Sequence, residues 1–101
     1  MPFDIEKAAA LLRALGNPVR LQIVLMLMNE DLDVNTIATR IGLGQSPTSQ
    51  HLRILRDGQF VITTRSAQRV LYAVQDPAVV RFVETAVQTV DSAAGHRPFH
   101  S

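Results

Sequence analysis

The sequence contains no cysteine and no tryptophan, and tyrosine occurs once. The absence of thiols excludes disulfides, thiolate metal sites and thiol redox chemistry. Hydrophobic residues make up 47% of the chain but few are aromatic, so we expect a core of Leu, Ile, Val and Ala in a helical domain. No apolar run approaches the roughly 18 residues that span a bilayer. The N-terminal segment is acidic where a signal peptide would be basic, so we expect a cytoplasmic protein that does not enter a membrane.

Positive charge is concentrated in the middle of the chain, although the net charge is only +1. Residues 34–74 contain five arginines and one acidic residue, whereas acidic residues outnumber basic ones on both sides of this segment. This distribution indicates a local surface for an anionic partner. No catalytic Ser, His and acid arrangement, phosphate-binding loop or pair of catalytic carboxylates stands out. We therefore expect a single small domain that binds a partner and is not an enzyme.

Apolar spacing predicts four helices in the first part of the chain. The first covers residues 4–15, and the second is capped by Asn17 with Pro18 at its first position. The second helix is apolar almost all round, so we expect it at the centre of the core. Asp33 can cap a short third helix that ends at Gly42, and the fourth helix follows after a three-residue turn. Two short helices joined by a tight glycine-containing turn are typical of a helix-turn-helix.

The second part of the chain predicts a β-hairpin and a last helix. Residues 60–64 and 70–74 are rich in β-branched and aromatic residues and are separated by a polar loop, residues 65–69. A proline-containing cap at residues 76–77 begins a helix that we expect to end at about Val90. The order predicts a mainly helical fold with a small hairpin, a winged helix-turn-helix.

We place the boundary of this domain near the end of the last predicted helix. Residues 1–92 form the winged helix-turn-helix DNA-binding domain in this interpretation. Residues 93–101 contain Gly and Pro and show little apolar periodicity. They are predicted to form a flexible tail.

The fourth predicted helix begins with small and amide side chains and only later acquires spaced leucines and arginines. A helix that enters a DNA major groove needs short hydrogen-bonding groups at its leading end, while Leu52 and Leu55 would hold its trailing half to the domain. The guanidinium groups would meet phosphates, and those on the hairpin tip would reach the adjacent backbone or minor groove. The candidate DNA-binding residues are Gln45, Ser46, Thr48, Ser49, Gln50, Arg53, Arg56, Arg65 and Arg69.

Residues 11–75 resemble the ArsR/SmtB family of small bacterial winged-helix repressors. The resemblance lies in LRALGNPVRLQIVLML, in the recognition segment GLGQSPTSQHLRILRDGQFV and in the wing TTRSAQRVLYAV. It is strongest to the branch whose recognition helix reads S-Q-S-x-x-S-Q-H-L, which includes nodulation and virulence-gene regulators. It implies base or phosphate contacts by Gln45, Ser46, Ser49 and Gln50. Gly44 replaces the usual capping serine and Pro47 the usual Ala or Thr, so we expect a slightly different helix start.

The same resemblance implies a homodimer formed by the first and last helices. Independently, both helices are apolar over more surface than so small a domain needs to cover, and such surfaces usually mark an interface. A two-fold dimer places its recognition helices roughly 34 Å apart and predicts an inverted-repeat operator. We therefore expect a sequence-specific repressor whose partners are double-stranded DNA and a second copy of the chain.

Many members of the family release DNA when a metal binds, at sites that the resemblance places near the third helix or across the last helices. Asp33 and Asn35 occupy the first location, and we expect Asp33 to act as a helix cap there. At the second location only Asp76 fits the pattern. The other ligand positions hold Ala78, Thr89 and Ser92. We therefore expect no metal and no cofactor.

Three histidines are further candidates for metal binding or DNA contact. His96 and His100 have helical spacing, but Pro98 lies between them, so a preformed metal pair is not expected. His51 is adjacent to Leu52 on the recognition helix. We expect it to pack or form a hydrogen bond within the protein rather than contact DNA.

Two alternatives to a simple repressor remain open at this point. The fold could serve as a protein-interaction or dimerisation module, in which case binding would depend little on salt. The repressor could also respond to a small apolar inducer bound between the terminal helices. A cavity lined by Leu11, Leu15, Phe82 or Val83 would favour the inducer.

Overall fold

The computed structural model describes residues 2–96 and has the element order of a winged helix-turn-helix, as predicted. The helices are α1 (Ile5–Leu15), α2 (Pro18–Leu27), α3 (Val34–Ile41), α4 (Gln45–Asp57) and α5 (Pro77–His96). The strands β1 (Ile62–Ser66) and β2 (Arg69–Ala73) form an antiparallel hairpin between α4 and α5.

Side-chain caps fix the beginnings of four of these helices, and the three caps predicted from sequence are confirmed. Asn17 accepts hydrogen bonds from the backbone N–H groups of Val19 and Arg20 at 2.9 and 3.1 Å. Asp33 accepts from Thr36 at 2.8 Å. Asp4 and Asp76 cap α1 and α5 in the same way. Each cap satisfies N–H groups that have no partner within the helix.

The core is built around α2, which is buried on most of its surface as its composition predicts. Ile23, Val24 and Leu27 are at most 2% exposed. They belong to one hydrophobic cluster with Ile37 of α3, the two buried leucines of α4, Phe60 and Val61. This cluster joins the helix-turn-helix to the rest of the domain, so the position of α4 depends on core packing.

The turn between α3 and α4 uses the one positive-φ glycine of the described segment. Gly42 has φ of 74°, and Leu43 behind it donates its backbone N–H to the carbonyl of Ala38 at 3.0 Å. A side chain at this conformation would be strained, which is why glycine ends the helix here.

The hairpin differs from the prediction in its boundaries. Phe60 and Val61 are buried core residues before β1 rather than part of the strand. The strands instead extend to Ser66 and from Arg69, and the turn has only two residues, Ala67 and Gln68. The predicted polar loop was therefore too long. Three of its five residues, Arg65, Ser66 and Arg69, belong to the paired strands although their side chains are exposed.

The last helix is also longer than predicted, since α5 continues to His96 rather than ending at about Val90. The helix therefore continues into residues 93–96 of the predicted tail, where the chain contains two alanines, the best helix formers. The rest of that tail, and with it Pro98 and His100, lies outside the described residues.

No single helix in the described part of the chain is long and apolar enough to cross a membrane. Helices α1 and α2 reach that length only together, and they meet at a bend of 83°.

Candidate nucleic-acid interface

One face of α4 is polar and exposed. Ser46, Ser49, Gln50 and Arg53 follow one another at intervals that place their side chains on the same side of the helix. All four are exposed, as are Gln45 and Arg56 beside them. Asp57 lies on this face at the last residue of the helix. The face therefore offers hydroxyl, amide and guanidinium groups to an anionic partner over its first three turns.

The opposite face of α4 is buried. Thr48, Leu52 and Leu55 are each 0% exposed and recur at intervals of four and three residues. The predicted inward direction of both leucines is confirmed. The prediction that Thr48 contacts DNA is wrong, because its side chain is fully buried and its hydroxyl donates to the backbone carbonyl of Gly44 at 2.8 Å.

The beginning of α4 has no side-chain cap, in contrast to α3, the other helix of the helix-turn-helix. The capping position is occupied by Gly44, which has no side chain to accept a hydrogen bond from the first backbone N–H groups of the helix. Pro47 lies at the third helical position and lacks an N–H, so Gln45 and Ser46 supply the N–H donors of the first turn. The positive end of the helix dipole therefore lies at exposed residues beside the polar face.

His51 connects α4 to the junction between α1 and α2. Its Nδ1 lies 3.3 Å from Nη1 of Arg20. The same guanidinium donates to the carbonyls of Ala14 at 2.6 Å and Arg13 at 3.3 Å, which belong to the last turn of α1. Since arginine can only donate, Nδ1 is the acceptor in this contact. The predicted hydrogen-bonding role of His51 is confirmed, but its partner Arg20 was not identified from the sequence.

The two arginines of the wing are placed differently. Arg65 is exposed on β1, whereas Arg69 begins β2 and donates through Nη2 to Oδ2 of Asp33 at 2.8 Å. Hydrogen bonds from Thr36, with a smaller contribution from Arg69, lower the pKa of Asp33 from 3.8 to about 2. Asp33 is therefore ionised at neutral pH, and it joins the wing to the start of α3.

The position of Tyr72 in the interface does not follow from the sequence. This half-buried residue of β2 lies beside Ser49, Arg53 and Arg56 in the cleft between α4 and the wing. Its backbone exchanges two hydrogen bonds with Leu32, at 3.1 and 2.7 Å. The sequence shows a single tyrosine in the hairpin that follows a basic helix, which is a weak signal for a place in the interface. The backbone pairing of Tyr72 with Leu32, 40 residues earlier in the same chain, has no signature in sequence.

The candidate metal positions act as helix caps. Asp33 accepts hydrogen bonds from the backbone N–H of Thr36 and from the guanidinium of Arg69. Asp76 accepts one from the backbone N–H of Ala78 at 2.9 Å. Within residues 2–96, no group of three or more His, Asp or Glu side chains is close enough to hold a metal ion. The predicted absence of a pair between His96 and His100 is not tested, since His100 lies beyond the described part of the chain.

Large apolar side chains are exposed on α1, on the residues just before it and on α5. These side chains are Phe3, Ile5, Leu11, Leu12, Phe82 and Val90, which are between 40% and 68% exposed. Leu11 and Phe82 also line a groove of about 250 Å³ together with Val79 and Phe60. Of the four residues expected to line an inducer cavity, Leu15 and Val83 are instead buried in the core.

Comparison with known proteins places this arrangement in a family. The model of a family described as bacterial regulatory protein, arsR family, matches residues 17–63, from the cap of α2 into β1. The transcriptional activator HlyU of Vibrio cholerae is 41% identical over 84 residues, which cover 83% of this chain and 78% of that protein. The nodulation protein NolR of Rhizobium meliloti is 41% identical over 80 residues, which cover 79% of this chain and 66% of that protein.

The fold agrees with solved structures over nearly the whole chain. A homodimeric winged helix-turn-helix DNA-binding domain from Mycobacterium bovis matches with a TM-score of 0.79 and 30% sequence identity. The match covers 96% of this chain and 87% of the other. This chain and the solved domain therefore share the winged helix-turn-helix architecture, and their sequences are related as well.

Proposed function

Because the chain belongs to the ArsR family of bacterial regulatory proteins, we propose that it is a cytoplasmic, homodimeric transcriptional repressor that binds an inverted-repeat operator in double-stranded DNA. The observation that carries the proposal is the polar exposed face of α4. Ser49 and Gln50 lie at its centre, and Leu52 and Leu55 hold the other side of the helix in the core.

On this face of α4, the amide and hydroxyl side chains can contact bases and the arginines can contact phosphates. Gln50 can pair bidentately with adenine, and Ser46 and Ser49 can donate to or accept from either strand's bases. Arg53 and Arg56, two and three turns into the helix, would meet phosphates and fix the register of the helix in the groove. The uncapped start of α4 adds backbone N–H donors and a positive dipole end for one more phosphate.

The exposed apolar residues of α1 and α5 support assembly through these helices. Leu12 and Val90 are about half exposed, at 56% and 49%, although both lie on apolar stripes. A second copy of the chain would cover these stripes and place two α4 helices on one face of DNA. Leu12→Asp should leave the monomer folded and lower the molar mass measured by light scattering to that of one chain. Ile62→Asp, at a 40% exposed residue of β1, is the matched control and should remain dimeric.

The direction of regulation can be tested separately from binding. HlyU is named an activator, so family membership alone leaves the sign open. A dimer bound over a promoter would exclude RNA polymerase, and we assign repression on this basis. A reporter gene fused to the chain's own promoter should become more active when the protein is deleted. A decrease in reporter activity would instead indicate an activator.

The experiment that tests the proposed function is fluorescence-anisotropy binding to the chain's own promoter fragment and to a scrambled fragment, across salt concentrations. We expect the promoter to bind more tightly by about 10³-fold or more, with affinity that falls steeply as salt rises. Weak, equal and salt-insensitive binding to both fragments would support a protein-interaction module and contradict a repressor of its own gene.

The apolar groove beside Leu11 and Phe82 supports a second candidate, in which a small apolar inducer releases the DNA. The groove lies between α1 and α5, where a ligand could change how two chains pack. Indole at millimolar concentration is a suitable probe. It should raise the melting temperature of the free protein and weaken promoter binding, and Phe82→Ala should abolish both effects. Promoter binding that is unchanged by indole would count against this groove as an inducer site.

A further inference from the structure

The wing contains two arginines at the ends of its tip, and their surroundings differ. Arg65 pairs with Val70 across the hairpin, and its side chain forms no hydrogen bond or ion pair within residues 2–96. Arg69 pairs with Asp33, with 2.8 Å between Nη2 and Oδ2. The charge of Arg69 is therefore offset by a neighbouring carboxylate, and that of Arg65 is fully available to a phosphate.

Asp33 is a fixed point rather than a mobile surface carboxylate. Its Oδ1 accepts the backbone N–H of Thr36 at 2.8 Å, and its side chain is only 25% exposed. The preceding residue, Leu32, is 5% exposed and exchanges two backbone hydrogen bonds with Tyr72. Both residues precede α3 directly, so this segment of chain is held by the cap of α3 and by the buried side chain of Leu32.

The wing is attached to this segment at two points along one strand. Tyr72 is the inner point, and Arg69 is the outer point, three residues nearer the tip. At the rise of a β-strand, the two points are roughly 10 Å apart. A single attachment would let the hairpin pivot about Tyr72, whereas two attachments fix the direction in which the tip extends.

We propose that Arg69 is a positioning residue, whose ion pair with Asp33 sets the angle of the wing to the helix-turn-helix, and that Arg65 is the wing's own DNA contact. This inference deepens the proposed function and rests on it. The opposing interpretation is that Arg69 leaves Asp33 when DNA is present and binds a phosphate itself. The side chain of Arg69 is 61% exposed, so this alternative must be separated by experiment.

Salt dependence separates the two roles of arginine. The variants are Arg65→Ala, Arg69→Ala, Asp33→Asn and the double variant with Asp33→Asn and Arg69→Ala. Asn is as good a helix cap as Asp, so Asp33→Asn keeps the start of α3 and removes only the charge. Affinity for the promoter fragment is measured for each variant over a range of salt concentrations.

We expect Arg65→Ala to reduce the slope of log affinity against log salt by about 0.9, as the loss of one phosphate contact does. Arg69→Ala should leave the slope unchanged and weaken binding by about two- to fivefold, the range of an exposed ion pair. In the Asp33→Asn background, Arg69→Ala should have at most half of this effect. A slope reduced by about 0.9 in Arg69→Ala, or an effect undiminished by Asp33→Asn, would overturn the proposal.

A measurement without DNA keeps the inference distinct from the proposed function. Backbone ¹⁵N order parameters of residues 65–69 are compared in the free protein. They should fall in Arg69→Ala and in Asp33→Asn, and Arg65→Ala, the matched control, should equal the wild type. Unchanged order in the first two variants would overturn the positioning role. If no variant binds the promoter specifically, the proposed function fails, while the order parameters still decide whether the ion pair holds the wing.

Discussion

The recognition helix α4 and the wing both present polar and cationic side chains, but the domain holds them by different interactions. Three fully buried side chains, Thr48, Leu52 and Leu55, fix α4 against the core. The tip of the wing, residues 65–70, is exposed throughout and is attached through Arg69. Buried apolar contacts are much stronger than an exposed ion pair. The domain therefore holds α4 more strongly than it holds the tip of the wing.

The largest expected effect comes from the buried side of α4. Leu52→Ala removes a fully buried side chain and should lower the free energy of unfolding by about 2–5 kcal/mol, with loss of promoter binding at elevated temperature. Ile54→Ala is the matched control, because Ile54 lies on the same helix but is 43% exposed. Thermal or urea unfolding measures both variants. A similar destabilisation by the two would contradict the burial pattern.

An intermediate effect is expected where α4 meets α1 and α2. His51→Leu removes the acceptor of Arg20 and should cost about 1 kcal/mol of stability. His51→Asn retains an acceptor near the position of Nδ1 and should restore most of this loss and the promoter affinity. Urea unfolding and anisotropy provide the readouts. Equal behaviour of the Leu and Asn variants would show that packing, rather than the hydrogen bond, is what His51 contributes.

A smaller effect of opposite sign is expected in the wing turn. Ala67 has φ of 58°, a conformation that strains any residue with a Cβ. Ala67→Gly should relieve this strain and raise the melting temperature slightly, corresponding to less than about 1 kcal/mol. Gln68→Gly, at the other turn residue, is the control and should not stabilise. A lower melting temperature in Ala67→Gly would indicate that flexibility outweighs strain in this turn.

The smallest expected effect concerns pH. The pKa of Asp33 is lowered from 3.8 to about 2, so its contribution to stability is complete above about pH 4 and is lost as pH falls towards 2. The difference in stability between wild type and Asp33→Asn should therefore be constant between about pH 5 and pH 8 and shrink in acid. Urea unfolding at several pH values measures it. A difference that changes near neutral pH would show that another group controls the attachment.

The same contrast explains how much could be predicted from the sequence. The direction of Leu52 and Leu55 and the caps at Asn17 and Asp33 follow from local periodicity and local hydrogen bonding, which sequence displays directly. The ion pair of Asp33 with Arg69 joins residues 36 positions apart, and periodicity carries no information about such a contact.

The errors have equally local causes. The residue type of Thr48 suits a DNA groove, but its place in the helix, one turn before Leu52, puts it on the buried side. Phe60 and Val61 have strong strand propensity, which places the predicted start of the hairpin too early. In the structure both residues are buried in the core and precede β1. Burial therefore overrode residue type in both cases.

The most direct test of the central claim, that the exposed face of α4 reads DNA, is promoter affinity of the Ser49→Ala and Gln50→Ala double variant. We predict a loss of at least about tenfold for the promoter fragment, with unchanged affinity for scrambled DNA and an unchanged melting temperature. Gln22→Ala, which removes an exposed amide from α2, is the control and should bind as the wild type does. Unaltered promoter affinity in the double variant would contradict the claim.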